Sequence, residues 1–174
     1  FDMIKGRLDA GLPVGYSAAG EVIEVGSEVE GFKRGDLVAC AGAGIANHAE
    51  IIDVPVNLVA AIPDGLGTEL ASTVTLGAIA MQGVRRLNPT LGEIVVVIGL
   101  GILGQITAQL LKAAGCVVIG TDVDAQRIEI ARQNGMDHGL SPRDGSVVDR
   151  VIQLSNGFGA DGVIITAATP SNEV

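Results

Sequence analysis

Three glycines stand at GxGxxG spacing in the stretch Gly99-Leu100-Gly101-Ile102-Leu103-Gly104, and an acid, Asp122, follows one helix and one strand later. Each of these residue types has a physical use at its place. Gly99 permits a tight turn out of a strand, Gly101 lets a pyrophosphate approach the backbone, and Gly104 lets a helix pack closely on the strand. A helix beginning at Ile102 and Leu103 turns its unpaired N–H groups and positive dipole end toward an anion. Asp122 is then the acceptor for ribose hydroxyls. The chemistry such a constellation serves is the binding of two linked nucleotides. A lone glycine triplet is weak evidence, but strand, loop, helix, strand and acid in register are strong evidence.

The elements needed to hold those residues are readable around them. Ile94-Val95-Val96-Val97-Ile98 is a continuous, mostly β-branched apolar run, as in a strand buried on both faces of a parallel sheet. Leu103, Ile106, Leu110 and Ala114 repeat at helical spacing before Gly115. A strand over 116–121 follows, then a helix over 125–134 with Asp124 as its N-cap. Further along come a weak strand over 138–140, a helix over 145–154 and a buried strand over 162–166. Right-handed crossovers put four such strands in the order 3-2-1-4. The expected class is therefore α/β, a Rossmann-type doubly wound parallel sheet occupying 93–174 and incomplete, since such domains have six strands. Strand 162–166 is then left as a bare apolar edge, and the expectation is a fragment or an edge covered by another chain.

The earlier half has a different texture. Glu21 to Val25 alternates polar and apolar residues, Gly31-Phe32-Lys33-Arg34-Gly35-Asp36 is turn chemistry, and further strands are expected over 37–40, 49–54 and 58–62. Short strands between turns from Pro13 to about Pro63 indicate a small barrel or sandwich. A small-residue helix over 68–86, ended by Asn88-Pro89, fills the connecting segment 67–92.

Composition removes several classes of function. With 20 acidic against 11 basic residues, a net charge of −9 and a pI near 4.5, the chain is a poor partner for nucleic acid. Phe1, Tyr16, Phe32 and Phe158 are its only aromatic residues, too few for base-stacking platforms. Cys40 and Cys116 have no CxxC or Cys/His spacing and read as reduced core residues. No stretch reaches the roughly 18 uninterrupted apolar residues of a membrane span, and no leader pattern is visible. The expectation is a soluble cytoplasmic protein, and the absence of an initiator methionine suggests an excised segment.

The order of these pieces resembles the medium-chain dehydrogenase/reductase family, whose GroES-like barrel is interrupted by a Rossmann domain. The resemblance rests on Pro13-Val14-Gly15 with Ala19-Gly20-Glu21-Val22, on Val25-Gly26-Ser27, on the Gly31 to Val38 turn, on Ala49-Glu50, on Ile62-Pro63-Asp64-Gly65-Leu66, and on the glycine loop with Asp122. It implies that 1–66 is part of a GroES-like catalytic domain. It also implies a nicotinamide cofactor, a small-molecule substrate and, in the intact protein, a homo-oligomer. Two departures bear on mechanism. Gly15-Tyr16-Ser17 stands where zinc-dependent members carry Gly-His-Glu, and no cysteine lies between Thr68 and Arg86. The resemblance is therefore to a zinc-less branch, and most closely to the first module of two-part oxidoreductases.

Without a metal, a hydrogen-bond donor must polarise a carbonyl or protonate a reduced carbon. Tyr16 is the first candidate, set against a barrel tyrosine satisfied locally, and His48 the second, set against a surface histidine. Ser17 is a lesser candidate. Asp122 favours NAD(H), because a carboxylate repels a 2′-phosphate; the alternative is that it only opens the Asp122 to Asp124 turn. Arg127 could approach the adenosine ribose or be a solvated surface arginine. The resemblance places Thr166 and Ala167 near the nicotinamide ribose, with Gln82 facing the nicotinamide. The leading reading is an NAD(P)-dependent, zinc-independent oxidoreductase acting on a carbonyl, alcohol or activated alkene. A non-catalytic NAD-binding sensor or scaffold is the alternative. A methyltransferase is a distant third, since its loop lacks a match to Gly104.

Overall fold

The computed structural model describes residues 14–168, so Phe1, Pro13 of the quoted motif and residues 169–174 lie outside the described residues. The chain divides into two compact units, Phe1–Leu76 and Gly77–Val174.

In the first unit, strands β1 (Ser17–Glu21), β2 (Leu37–Ala41) and β3 (Val59–Ala61) form an antiparallel sheet in that order. Ser17 lies opposite Ala41, and Val38 opposite Ala61. Val38, Cys40 and Ala46 are buried beneath Ala18, Val22, Phe32, Ile52, Val54 and Val59. The strand expected over Glu21–Val25 is displaced toward Ser17–Glu21. Val22 makes one last reciprocal pair, donating to Asp36 and accepting from Gly35, after which the chain leaves the sheet and Ile23 is exposed. The strand expected over 49–54 is absent. Ile52 and Val54 face the core while Ile51 is 72% exposed, so the alternation is genuine sidedness in a segment with no ladder partner.

The helix expected over 68–86 is two helices, α1 (Thr68–Ala71) and α2 (Val74–Leu87). Ser72 Oγ donates to Glu69 O at 2.7 Å and Thr73 Oγ1 to Leu70 O at 2.8 Å. Two hydroxyls competing for the last carbonyls of the turn account for the break.

The second unit carries four parallel strands, β4 (Ile94–Ile98), β5 (Val117–Thr121), β6 (His138–Leu140) and β7 (Gly162–Ile165), in the order β6-β5-β4-β7. This is the 3-2-1-4 order expected from right-handed crossovers. Helices α3 (Ile102–Ala113), α4 (Ala125–Gln133) and α5 (Val147–Leu154) connect them, with Asp124 capping α4 as expected. The helix expected over 145–154 starts two residues late, because Pro142–Asp144 forms a 3-10 turn and Ser146 caps α5.

The unbroken apolar run of β4 follows from its central place. Val95 and Val97 pack with Leu111, Val118 and Ala131 in one cluster, while Val96 packs with Ile119, Leu140 and Val151 in another. Side chains of a strand alternate between faces, so both faces of β4 are covered. At the edge, β7 leaves Val163 and Ile165 half exposed.

A polar clasp ties α3 to the sheet. Lys112 Nζ donates to both oxygens of Asp137 at 2.8 Å and to Cys116 O at 3.1 Å, and the Val118 N–H donates to Asp137 Oδ2 at 2.7 Å. Burial pushes the Asp137 carboxyl up, but the hydrogen bonds from Lys112 and Val118, together with the nearby charges of Lys112 and His138, outweigh it and hold the group below its ordinary value. A carboxylate with a lowered folded-state value stabilises the fold above its unfolded value, near 4, and that contribution is lost as pH falls through the lowered value. Chemical denaturation at pH 6 and at successively lower pH should show wild type losing stability in acid. Asp137→Asn should be less stable at pH 6 but show a shallower acid loss.

Candidate functional site

The loop between β4 and α3 assigns its three glycines three different tasks. Gly99 has φ +91, a left-handed value that favours glycine, and a Cβ there would lie 2.7 Å from Ala167 N. A Cβ at Gly104 would run into the carbonyl oxygen of Gly99. Gly101 is the opposite case: nothing lies within 4 Å of a Cβ built on it. It is also the N-cap of α3 and supplies no side-chain cap, whereas Asp124 and Ser146 cap α4 and α5. The first-turn N–H groups, those of Ile102 and Leu103 among them, are therefore not claimed by a cap and border open space. A phosphate fits the place a Cβ would fill.

Around this cradle the other expected residues converge. Thr166 Oγ1 donates to Gly99 O at 2.6 Å, and the N–H groups of Thr166 and Ala167 donate to Ile98 O at 2.9 and 3.0 Å. Asp122 is 8% exposed and aims at the loop: Oδ2 accepts from the Leu100 N–H at 2.7 Å and Oδ1 from the Asp124 N–H at 2.9 Å. The acid thus opens the Asp122 to Asp124 turn and braces the glycine loop at once. Each carboxylate oxygen has two lone-pair sites, so acceptor capacity remains for a hydroxyl. Arg127 is paired rather than simply solvated, with Nη1 3.7 Å from Asp122 and Nε 3.7 Å from Asp124. Gln82 is exposed on α2.

In the first unit a cavity of about 460 Å³ is lined by Tyr16 and His48 together with Gly15, Ser17, Ser72 and Thr73. The two expected donors therefore share one pocket. Their placement comes from the backbone: the His48 N–H donates to Val14 O at 2.7 Å, and the Gly42 N–H to Tyr16 O at 3.0 Å. Gly15, at φ +95, has the imidazole of His48 where its Cβ would be. Ser17 is already engaged, donating to Ser72 O at 2.5 Å and accepting from the Thr75 N–H at 3.3 Å. Gly15, Ser72 and Thr73 are lining residues that the sequence reading missed. Adjacent hydroxyls in a helical run were the only signal for the last two. Among the described residues no group of three or more His, Cys, Asp or Glu could hold a metal ion. Among the same residues no helix is long and apolar enough to cross a membrane.

One unit holds a Rossmann-type parallel sheet with a glycine-rich turn and the other a short antiparallel sheet, which defines the class as α/β. Residues 2–64 match the alcohol dehydrogenase GroES-like domain, and residues 103–172 match the zinc-binding dehydrogenase family. The chain belongs to the medium-chain dehydrogenase/reductase family and is alcohol dehydrogenase-like. It is 38% identical over 156 residues to D-guloside 3-dehydrogenase of Shigella flexneri, covering 88% of this chain and 44% of that protein. It is 34% identical over 152 residues to a quinone oxidoreductase of Pseudomonas aeruginosa, covering 84% of this chain and 47% of the relative. The crystal structure of an Escherichia coli quinone oxidoreductase complexed with NADPH superposes with a TM-score of 0.74 at 26% identity, over 83% of this chain and 45% of that one. The chain spans about half the length of the curated relatives it matches.

The glycine geometry predicts a split. Gly104→Ala collides with backbone that cannot move aside and should cost about 1–3 kcal/mol. Gly101→Ala meets open space and should stay within about 1 kcal/mol of wild type. Thermal melts of the two variants check this.

Proposed function

We propose that the chain is the module of an oxidoreductase that binds NAD(H) in its second unit and presents Tyr16 and His48 as proton donors from its first. The observation that carries this is the open face of Gly101 at the uncapped start of α3, beside a loop braced by Asp122. In this reading the N–H groups of Ile102 and Leu103 receive the pyrophosphate. The spare acceptor capacity of Asp122 takes the adenosine ribose, with Arg127 alongside. Thr166 and Ala167, which buttress Gly99, lie next to the cofactor's path.

The bound nicotinamide would supply or accept the hydride. The chain's own groups then handle the proton. Carbonyl reduction needs one proton beside the hydride: the Tyr16 hydroxyl would hydrogen-bond the carbonyl oxygen, and His48, seated on Gly15, would deliver that one proton or take it back in the reverse direction. The substrate class is a small carbonyl, alcohol or activated alkene.

Zinc independence is part of the proposal, although one family matched by this chain is described as zinc-binding. A zinc site needs about four N, S or O ligands, usually with Cys or His dominant. The pocket offers one imidazole, a phenol and hydroxyls, which does not fit, and no step is assigned to a metal. NAD(H) preference is likewise a proposal, supported by the nearly buried carboxylate that a 2′-phosphate would meet. The NADPH in the Escherichia coli enzyme is a property of that protein.

Fluorescence titration of the full chain with NADH and NADPH tests the cofactor reading. NADH should bind at least about tenfold more tightly, the equivalent of about 1.4 kcal/mol, and equal affinities would refute the role of Asp122. Gly101→Asp should abolish binding. In the intact protein, Tyr16→Phe and His48→Gln should each lower kcat by about 10²- to 10⁴-fold with dinucleotide affinity unchanged. A protein that binds NADH but reduces or oxidises no such substrate would instead be a sensor or scaffold.

A further inference from the structure

Gln105, on the first turn of α3 after the glycine loop, does something no helix propensity requires. Its Nε2 donates to Leu100 O at 3.1 Å and to Arg127 O at 2.8 Å, so one amide group joins the glycine loop to the first turn of α4. Both partners are carbonyls, which fixes the amide's orientation. Its Oε1 is buried and has no hydrogen-bond partner among the described residues. An unpartnered buried acceptor lowers stability. Glutamine here thus leaves one acceptor unmet in exchange for two donated hydrogen bonds that tie the glycine loop to α4.

Peptide planarity shows what the bond achieves. The Leu100 carbonyl shares a rigid plane with the Gly101 N–H, and in a trans peptide the two point in opposite directions. Drawing the carbonyl toward Gln105 therefore aims the Gly101 N–H the other way. That N–H has no protein partner among the described residues, and it belongs to the glycine with open space on its face. The preceding plane is fixed by the same logic, with the Leu100 N–H held by Asp122 and the Gly99 carbonyl by Thr166. Gln105 completes the set, and through Arg127 O it locks the cradle to the α4 turn in which Asp124 and Arg127 stand.

We propose that Gln105 is a positioning residue for the cofactor: it aims the Gly101 N–H at the pyrophosphate and holds the cradle at a fixed distance from the ribose corner. This rests on the dinucleotide reading above. Glutamate at this position keeps length and shape but turns an acceptor toward two carbonyls, unless it is protonated and regains one donor.

The test measures, in the full chain, melting temperature and Kd for NADH and for ADP-ribose, with Gln105→Leu and Gln105→Glu beside wild type. Gln105→Leu should weaken both ligands about tenfold, the effect of one lost oriented hydrogen bond, while melting within a few degrees of wild type. Gln105→Glu should weaken them at least as much at pH 8 and recover affinity as pH falls toward 5, relative to wild type over the same range. Wild-type affinity in a folded Gln105→Leu, or no pH-dependent recovery in Gln105→Glu, overturns the inference while leaving the dinucleotide reading intact. A wild-type chain that binds neither ligand overturns both.

Discussion

The second unit depends on how the peptide planes on either side of Leu100 are held. A glycine loop has to leave its backbone bare for a ligand, and bare backbone is mobile unless something else fixes it. Here the Asp122 carboxylate takes the Leu100 N–H in a short, charge-assisted bond, which is stronger than a neutral one. Thr166 takes the Gly99 carbonyl on the other side. The loop is thus ordered from behind, by residues at the ends of β5 and β7, and its front stays free. A loop ordered before the ligand arrives gives up less entropy on binding, so more of each contact appears as affinity.

That bracing works because the sheet puts three strand ends together. β5 and β7 flank β4 in register, with Ile98 opposite both Thr121 and Ile165, so Asp122 and Thr166 emerge beside Gly99. In an open parallel sheet the carboxyl ends of neighbouring strands meet where the connections diverge to opposite faces. The separate packing of Val95 and Val97 from Val96 is the same divergence seen in the core.

The first unit builds its pocket by a different device. Its sheet is short and its core small, and much of its hydroxyl chemistry is spent internally. Ser17 binds Ser72 O, while Ser72 and Thr73 bond the preceding turn. The phenol of Tyr16 and the imidazole of His48 line the cavity without such an internal bond among the described residues. Gly15 seats the imidazole because it lacks a Cβ. A bend caused by side-chain hydroxyls thus both ends α1 and lines the cavity.

The parallel sheet, its strand order, the glycine loop and the Asp124 cap could be read from the residues. A buried strand writes itself as an apolar run, a helix start as glycine or a capping acid, and both signals are local. Over 21–25 and 49–54, alternation recorded which side chains face a core but not whether a partner strand runs alongside. The hydroxyls of Ser72 and Thr73 can tolerate a helix or end it depending on which carbonyls they reach. Only the folded chain decided that Asp122 braces Leu100, that Arg127 pairs with two acids, and that Gln105 spans two elements. Each of those bonds joins residues whose distance in space is set by packing, and no spacing along the sequence encodes it.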